Sequence, residues 1–273
     1  MSLSSFVPVV PLDKPFIEVD LSREYSPDRI SLDPPSLGGY NEKRKNMYVS
    51  ALYADQRDVH VGLDFWMPVQ TPVFIGSDAK LIHLQNNNRD GDYGPVMVFQ
   101  HPLPDVQELL AGYLTRWMGT VAAYSGKTTS RKALADFLKE NAKSLEPYFD
   151  RDELASFLEV LGEGLAIYVT SPETLFQELK PVLPDTLYSL YGHLSEASLT
   201  GKKPGMMFRK GEQVAEMGAE SENGGWIPHL HLQLSMLRPS SGDLPGVVHE
   251  RTRALALALF PDPGFFLPEC TFV

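Results

Sequence analysis

The chain has 273 residues, 43% of them hydrophobic, enough to bury a full core as one large domain or as a domain with an inserted subdomain. Its 24 Lys and Arg against 35 Asp and Glu give a net charge of -11, and there is no basic run with interleaved aromatics, which argues against a nucleic-acid partner. No apolar run approaches the roughly 20 residues of a membrane-spanning helix, and a single cysteine, Cys270, rules out an internal disulfide and fits a reducing, cytoplasmic compartment.

Residues 1–46 are rich in Pro, Ser, Asp and Gly and read as an extended N-terminal arm that packs on the domain. The start carries Pro8, Pro11 and Pro15 around Asp13 and Lys14, not the basic and apolar regions of a secretion signal. From residue 47 the texture changes to short β segments at 47–53, 59–66, 71–75, 80–84 and 96–101, separated by turns such as Asn86-Asn-Asn-Arg-Asp-Gly. Between 103 and 183 the period becomes helical. Asp105-Val-Gln-Glu108 resembles a capping box ahead of a face built from Leu110, Tyr113, Leu114, Trp117, Met118 and Val121. Ser130 can cap a helix over 131–141, and Asp150 one that runs to Leu161, where Gly162 and Gly164 should break it. Ser171-Pro172 can open a short last helix. The aromatic and Met-rich face suits core or a homodimer contact, and the block could also wall a site. β texture resumes at 186–195 and continues at 206–208, 213–217 and 229–235, before a helix at 250–259. The fold class expected is mainly β, an antiparallel domain over 47–102 and 184–273 with an α-helical insertion at 103–183.

The chemistry sits on the β segments. In Pro228-His-Leu-His-Leu-Gln-Leu, His229, His231 and Gln233 alternate with leucines, so the imidazoles share one strand face about 6.5 Å apart. His60 and Asp64 would lie roughly 13 Å apart on a straight strand, and a bend at Gly62 is needed to bring them together. His193 stands at a strand end beside Gly192. Singly, each of these reads as an ordinary core or surface residue. Together they offer two imidazoles and a carboxylate around an open position, the ligand set of a catalytic zinc site.

His60-Val-Gly-Leu-Asp64, Tyr191-Gly-His193-Leu and His229-Leu-His231, in this order, resemble the three motifs of the lysostaphin and LytM-type zinc metallopeptidases. Between them, Pro68-Val-Gln-Thr-Pro-Val, Asp92-Tyr-Gly-Pro-Val and Lys210-Gly-Glu-Gln-Val-Ala-Glu-Met-Gly resemble further stretches of that family, with Gln70 and Ala79 where glycines are common. Leu190-Tyr-Gly-His-Leu-Ser, Glu222-Asn-Gly-Gly-Trp226 and Leu244-Pro-Gly-Val look most like the peptidase-like modules fused to a kinase and a class III aminotransferase in some bacteria. The resemblance implies the duplicated-hybrid-motif β fold, one Zn2+ per chain held by His60, Asp64 and His231, and His193 with His229 as the catalytic pair. It implies a peptide or peptidoglycan-derived substrate. Tyr191, Asn223 and Trp226 are candidates to line the groove, Glu222 suits a turn or cap more than a catalytic base, and Asn41 or Glu42 could shield the metal from the arm. Two other functions compete: a phosphocarrier-like protein of the same fold, against which the His60/Asp64 pair argues, and a metal-bearing module that is not catalytic.

Overall fold

The computed structural model describes residues 6–23, 25–103, 105–125 and 131–268, so the expectations for Ser130 and Cys270 fall outside the described residues. The arm supplies β1 (Ile17–Val19), β2 (Ser36–Gly38) and β3 (Glu42–Lys43). Five strands follow: β4 (Val59–His60), β5 (Leu63–Trp66), β6 (Pro72–Phe74), β7 (Ala79–Asn87) and β8 (Gly94–Pro102). The helices come next, α1 (Val106–Ser125), α2 (Arg131–Ala142), α3 (Arg151–Thr170) and α4 (Leu175–Leu179). The chain then returns to β9 (Thr186–Gly192), β10 (Met207–Phe208), β11 (Gln213–Glu216), β12 (His229–Ser235) and β13 (Val247–Val248), and ends its regular structure with α5 (Arg253–Leu259).

Eight strands form one sheet in the order β1-β2-β5-β12-β9-β8-β7-β10. Its ladders are antiparallel except for β1 on β2, which are parallel. β8 and β9 are hydrogen-bonded neighbours although the whole helical block lies between them in sequence, so the helices are an insertion into an antiparallel sheet. β12 lies between β5 and β9, with His231 opposite Asp64 on one side and Gly192 on the other. The polar face expected of this strand is not exposed: every residue of β12 is buried. The arm does more than pack, because β2 hydrogen-bonds to β5 and β3 to β4.

Several local expectations differ from the structure. Residues 47–53 form turns and a 3-10 turn at Ala51–Tyr53 instead of a strand. The backbone at Asn46 lies in the left-handed region at φ 61, which ends extended structure there. Residues 59–66 divide into β4 and β5 at Val61 and Gly62, and the two halves join different sheets. Gly162 and Gly164 do not break α3. Asp150 starts the helix by accepting from the amides of Asp152 and Glu153 at 2.9 and 3.1 Å. It then runs through both glycines, because burial of Leu158, Leu161 and Leu165 outweighs their weak propensity. A Cβ at Gly164 would stand 2.3 Å from Cε of Met118, so this glycine gives the close approach to α1. Gln70 keeps a left-handed backbone at φ 65, the conformation a glycine adopts without cost.

The Met-rich face of α1 is core. Leu110, Leu114 and Met118 are fully buried, Tyr113 donates its hydroxyl to the Leu257 carbonyl at 2.7 Å, and Trp117 donates its indole N–H to that of Ala254 at 2.7 Å. These bonds tie the insertion to α5. No helix among the described residues is long and apolar enough to cross a membrane.

Candidate metal centre and active site

Three buried side chains from three strands meet at one point. Nδ1 of His231 on β12 lies 2.9 Å from Oδ1 of Asp64 on β5 and 3.1 Å from Nε2 of His60 on β4, and Nε2 of His60 is 3.3 Å from the same Asp64 oxygen. The break between β4 and β5 makes this meeting work. Gly62 is required there by space, since a Cβ would stand 2.4 Å from Cε1 of His231, and its φ is outside the left-handed region.

Outer hydrogen bonds choose the tautomers. His60 faces the Gly39 carbonyl with Nδ1 at 3.0 Å, which makes Nδ1 the donor and leaves a lone pair on Nε2. His231 faces Oε1 of Gln233 with Nε2 at 3.3 Å, and that amide is oriented by donation of its Nε2 to the Pro245 carbonyl at 3.3 Å, so the lone pair of His231 is on Nδ1. Burial, then the nearby Arg44 guanidinium, lowers His60 to about 4. Burial pushes the Asp64 carboxyl up, but the facing His60 imidazole, the Arg44 guanidinium and the imidazole hydrogen bonds outweigh it and hold the group well below the usual carboxylate range. Three electron pairs therefore point at one another from atoms 2.9–3.3 Å apart. Ligand atoms around a tetrahedral Zn2+ with bonds near 2.0–2.1 Å are about 3.3 Å apart, so the donor set, its protonation and its spacing fit such an ion. His60, Asp64 and His231 are the one group of metal-binding type found among the described residues.

His193 and His229 stand on the open side of this triad. Their rings lie 4.0 Å apart between centroids, and Nε2 of His229 is 3.9 Å from Oδ1 of Asp64. Each donates Nδ1–H to a backbone carbonyl, His193 to Asn223 at 2.8 Å and His229 to Ile227 at 2.7 Å, leaving the Nε2 lone pairs for the site. Burial lowers His229 to about 4, and burial followed by the neighbouring His229 places His193 well below the usual histidine range, so both are neutral at pH 7. His193 has φ 61, a conformation uncommon outside glycine, held by its amide donating to the Tyr93 carbonyl at 2.9 Å and its carbonyl accepting from Gly218 at 2.9 Å.

The five residues singled out for metal and catalysis thus lie together, whereas the candidates for the groove divide. Trp226 lines the recess in front of the triad and donates its indole N–H to the Asp92 carbonyl at 3.2 Å. Tyr191 does not: its side chain is on the opposite sheet face, edge-on to Phe99, with its hydroxyl accepting from the Gly76 amide at 3.3 Å. Strand alternation explains this, since Tyr191 and His193 are two apart but the left-handed turn at His193 breaks the shared facing. Asn223 is fully buried and organises the loop by bonding Trp226 through both amide atoms, at 2.9 Å each, while its carbonyl orients His193. Glu222 caps turns by accepting from the amides of Ala219 and Glu196 at 3.0 and 2.7 Å. Asn41 and Glu42 have other partners than the triad: Asn41 accepts from Arg253, and Glu42 accepts from the Leu21 amide and Arg44.

The recess measures about 620 Å3 including its open mouth, and its walls include Tyr48, Tyr53, Arg57, Tyr148, Asp243 and Leu244. Tyr148 comes from the helical insertion, and its carbonyl accepts from the Ser240 amide at 2.9 Å. Burial, then the nearby Asp92 carboxylate, raises Asp243 to about 6. Arg44, Gln233 and Tyr148 were not anticipated as site residues. Only Gln233 carried a signal, as the third polar residue on the face of His229 and His231.

The fold is a mainly antiparallel β chain with a helical insertion, and its site is a His/Asp/His donor set able to hold a metal ion beside two neutral imidazoles. Several solved structures are similar to it at low identity. A zinc-containing peptidase from Vibrio cholerae matches at 19% identity over 76% of this chain and 36% of that chain, with a TM-score of 0.33. The catalytic domain of the antimicrobial peptidase lysostaphin from Staphylococcus simulans matches at 14% over 82% of this chain and 95% of that one, with a TM-score of 0.35. Helicobacter pylori Csd3 matches at 13% over 93% and 38%, with a TM-score of 0.30. The chain therefore spans little more than a third of the Vibrio peptidase. No family model and no curated protein matches it.

Proposed function

We propose that this chain is a zinc-dependent peptidase or amide hydrolase acting on a short peptide or a peptidoglycan-derived fragment. The observation that carries the reading is the convergence of three lone pairs from His60, Asp64 and His231, with the Nε2 atoms of His193 and His229 on the open side. Zn2+ bound there would polarise the scissile carbonyl and lower the pKa of a water toward about 7. A neutral imidazole at His193 or His229 can take the proton of an attacking water at Nε2 and return it to the leaving amine, and the other keeps its lone pair turned to the site as an acceptor for the water or the substrate amide N–H. Both rings are fixed by their Nδ1 bonds, so no reorientation is needed during turnover. Trp226, Tyr148 and Arg57 would hold the peptide on either side. A phosphocarrier role is disfavoured, because phosphate on His60 or His231 would face the Asp64 carboxylate about 3 Å away.

The test is hydrolysis of Gly-Gly and stem-peptide substrates by zinc-loaded protein, with His231→Ala as control. Wild type should cleave at least one of them and the variant should lose about a hundredfold or more, in line with loss of a ligand group. Equal rates for the two proteins would remove the reading.

A further inference from the structure

Asp64 has two oxygens, and only Oδ1 is turned to the imidazoles. Oδ2 accepts from Nη1 of Arg44 at 2.5 Å. This arginine is 1% exposed although it lies in the polar arm, between Lys43 and Lys45. Its other nitrogens also have partners. Nε reaches Oε2 of Glu42 at 2.7 Å, Nη1 also reaches the Tyr48 hydroxyl at 3.3 Å, and Nη2 reaches the Gly39 carbonyl at 3.4 Å. The guanidinium also stands 5.7 Å from the Trp66 ring centroid. The Gly39 carbonyl is the one that orients His60. One guanidinium therefore touches both a candidate ligand and the group that sets the tautomer of another.

We propose that Arg44 is a positioning residue of the metal centre, occupying Oδ2 so that Asp64 offers a metal only Oδ1, and bracing the Gly39 carbonyl behind His60. This rests on the metal-site reading above and adds the arm to it. A carboxylate free at both oxygens can bind a divalent ion with both and fill the position a substrate needs, whereas one held at Oδ2 leaves a three-donor N2O site. Such a site suits Zn2+ over Mg2+ or Ca2+, which want more oxygen ligands. Arginine serves here where lysine would not, because its planar fork spans Asp64 and Glu42 at once while an ammonium is a single point of charge. Glu42 balances the buried cation, so the arrangement carries its own counter-charge.

The experiment is a Zn2+ titration against a competing chromophoric chelator, on wild type, Arg44→Gln and Arg44→Lys, with X-ray absorption at the zinc edge. Arg44→Gln should bind Zn2+ about tenfold to a hundredfold more weakly, the range for loss of a partner behind a ligand, and Arg44→Lys should fall between. The wild-type spectrum should show one carboxylate oxygen at bonding distance and no second, and that of Arg44→Gln a second. A purely structural role would lower the melting temperature and leave the affinity of the folded protein unchanged. A folded Arg44→Gln with wild-type affinity, or a bidentate carboxylate in wild type, overturns the proposal. The wild-type spectrum decides it even where the variants do not fold. Stoichiometric zinc in wild type with unaltered variants removes only the role of Arg44, whereas no zinc uptake by wild type removes the metal-site reading as well.

Discussion

Adding one methyl group at Gly62 should damage the metal centre without touching a ligand. A Cβ there would lie 2.4 Å from Cε1 and 2.7 Å from Nε2 of His231, and 2.9 Å from the Leu232 carbonyl oxygen. Non-bonded carbons settle at about 3.5–4.0 Å, so in Gly62→Ala the imidazole or the β4–β5 connection must move by about 1 Å. The backbone of Gly62 lies outside the left-handed region, which makes the effect steric and not conformational. Over-packing of this kind costs about 1–3 kcal/mol in the metal-free protein. Displacing His231 from Asp64 and His60 should also weaken Zn2+ binding about a hundredfold, which removes about 2.7 kcal/mol of zinc-linked stability. At roughly 2–4 °C per kcal/mol for a chain of this size, the rise in melting temperature on adding zinc should shrink by about 5–10 °C. Thermal unfolding of wild type and Gly62→Ala, with chelator and with excess zinc, measures both parts. A variant that melts like wild type in both conditions would refute the claim that the imidazole needs this space.

In Gly162→Ala the new Cβ meets only Cδ1 of Leu138, at 3.9 Å, so the gain in helix propensity should stabilise the protein by about 0.5–1 kcal/mol in denaturant unfolding. Asn223→Ala removes both bonds to Trp226 and should cost about 2–3 kcal/mol of stability, and it should lower peptide turnover by loosening the carbonyl that orients His193. His101, buried between the hydroxyls of Ser77 and Ser189, is lowered by that burial from 6.5 to about 3. Between those values the unfolded chain binds a proton the folded one refuses, so stability falls as pH drops below about 6.5. At pH 4.5 the loss is about 2.7 kcal/mol. Unfolding of metal-free His101→Gln at pH 7 to 4.5 should show a shallower pH slope than wild type, and equal slopes would show that His101 takes up its proton while folded.

The five polar residues of the centre were legible because each sits in a short local pattern: His229 and His231 two apart, His60 and Asp64 flanking a glycine, and His193 after Gly192. What was not legible depends on contacts between distant segments. Arg44 reads as one of three consecutive basic residues, the usual mark of a solvated stretch, and only the pairing of β2 and β3 with β5 and β4 carries it under the sheet. Tyr191 was a groove candidate as an aromatic beside a site motif, but closeness in sequence does not fix the sheet face, and its ring packs on Phe99. Gly162 and Gly164 looked like helix breakers on propensity alone, yet one faces α1 at a distance no larger residue allows without displacing Met118, and the other sits on a helix already secured by buried leucines.

The position of β12 also sets an order for biosynthesis. β5 and β9 lie on either side of it, so the inner seam of the large sheet stays unsealed until residues 229–235 have left the ribosome. Until then β5 and β9 present exposed edges to other nascent chains, and the contact of His60 with His231 spans 171 residues. The centre is therefore completed only after β12 has emerged, and at high expression a chaperone that shields strand edges should raise the yield of folded protein.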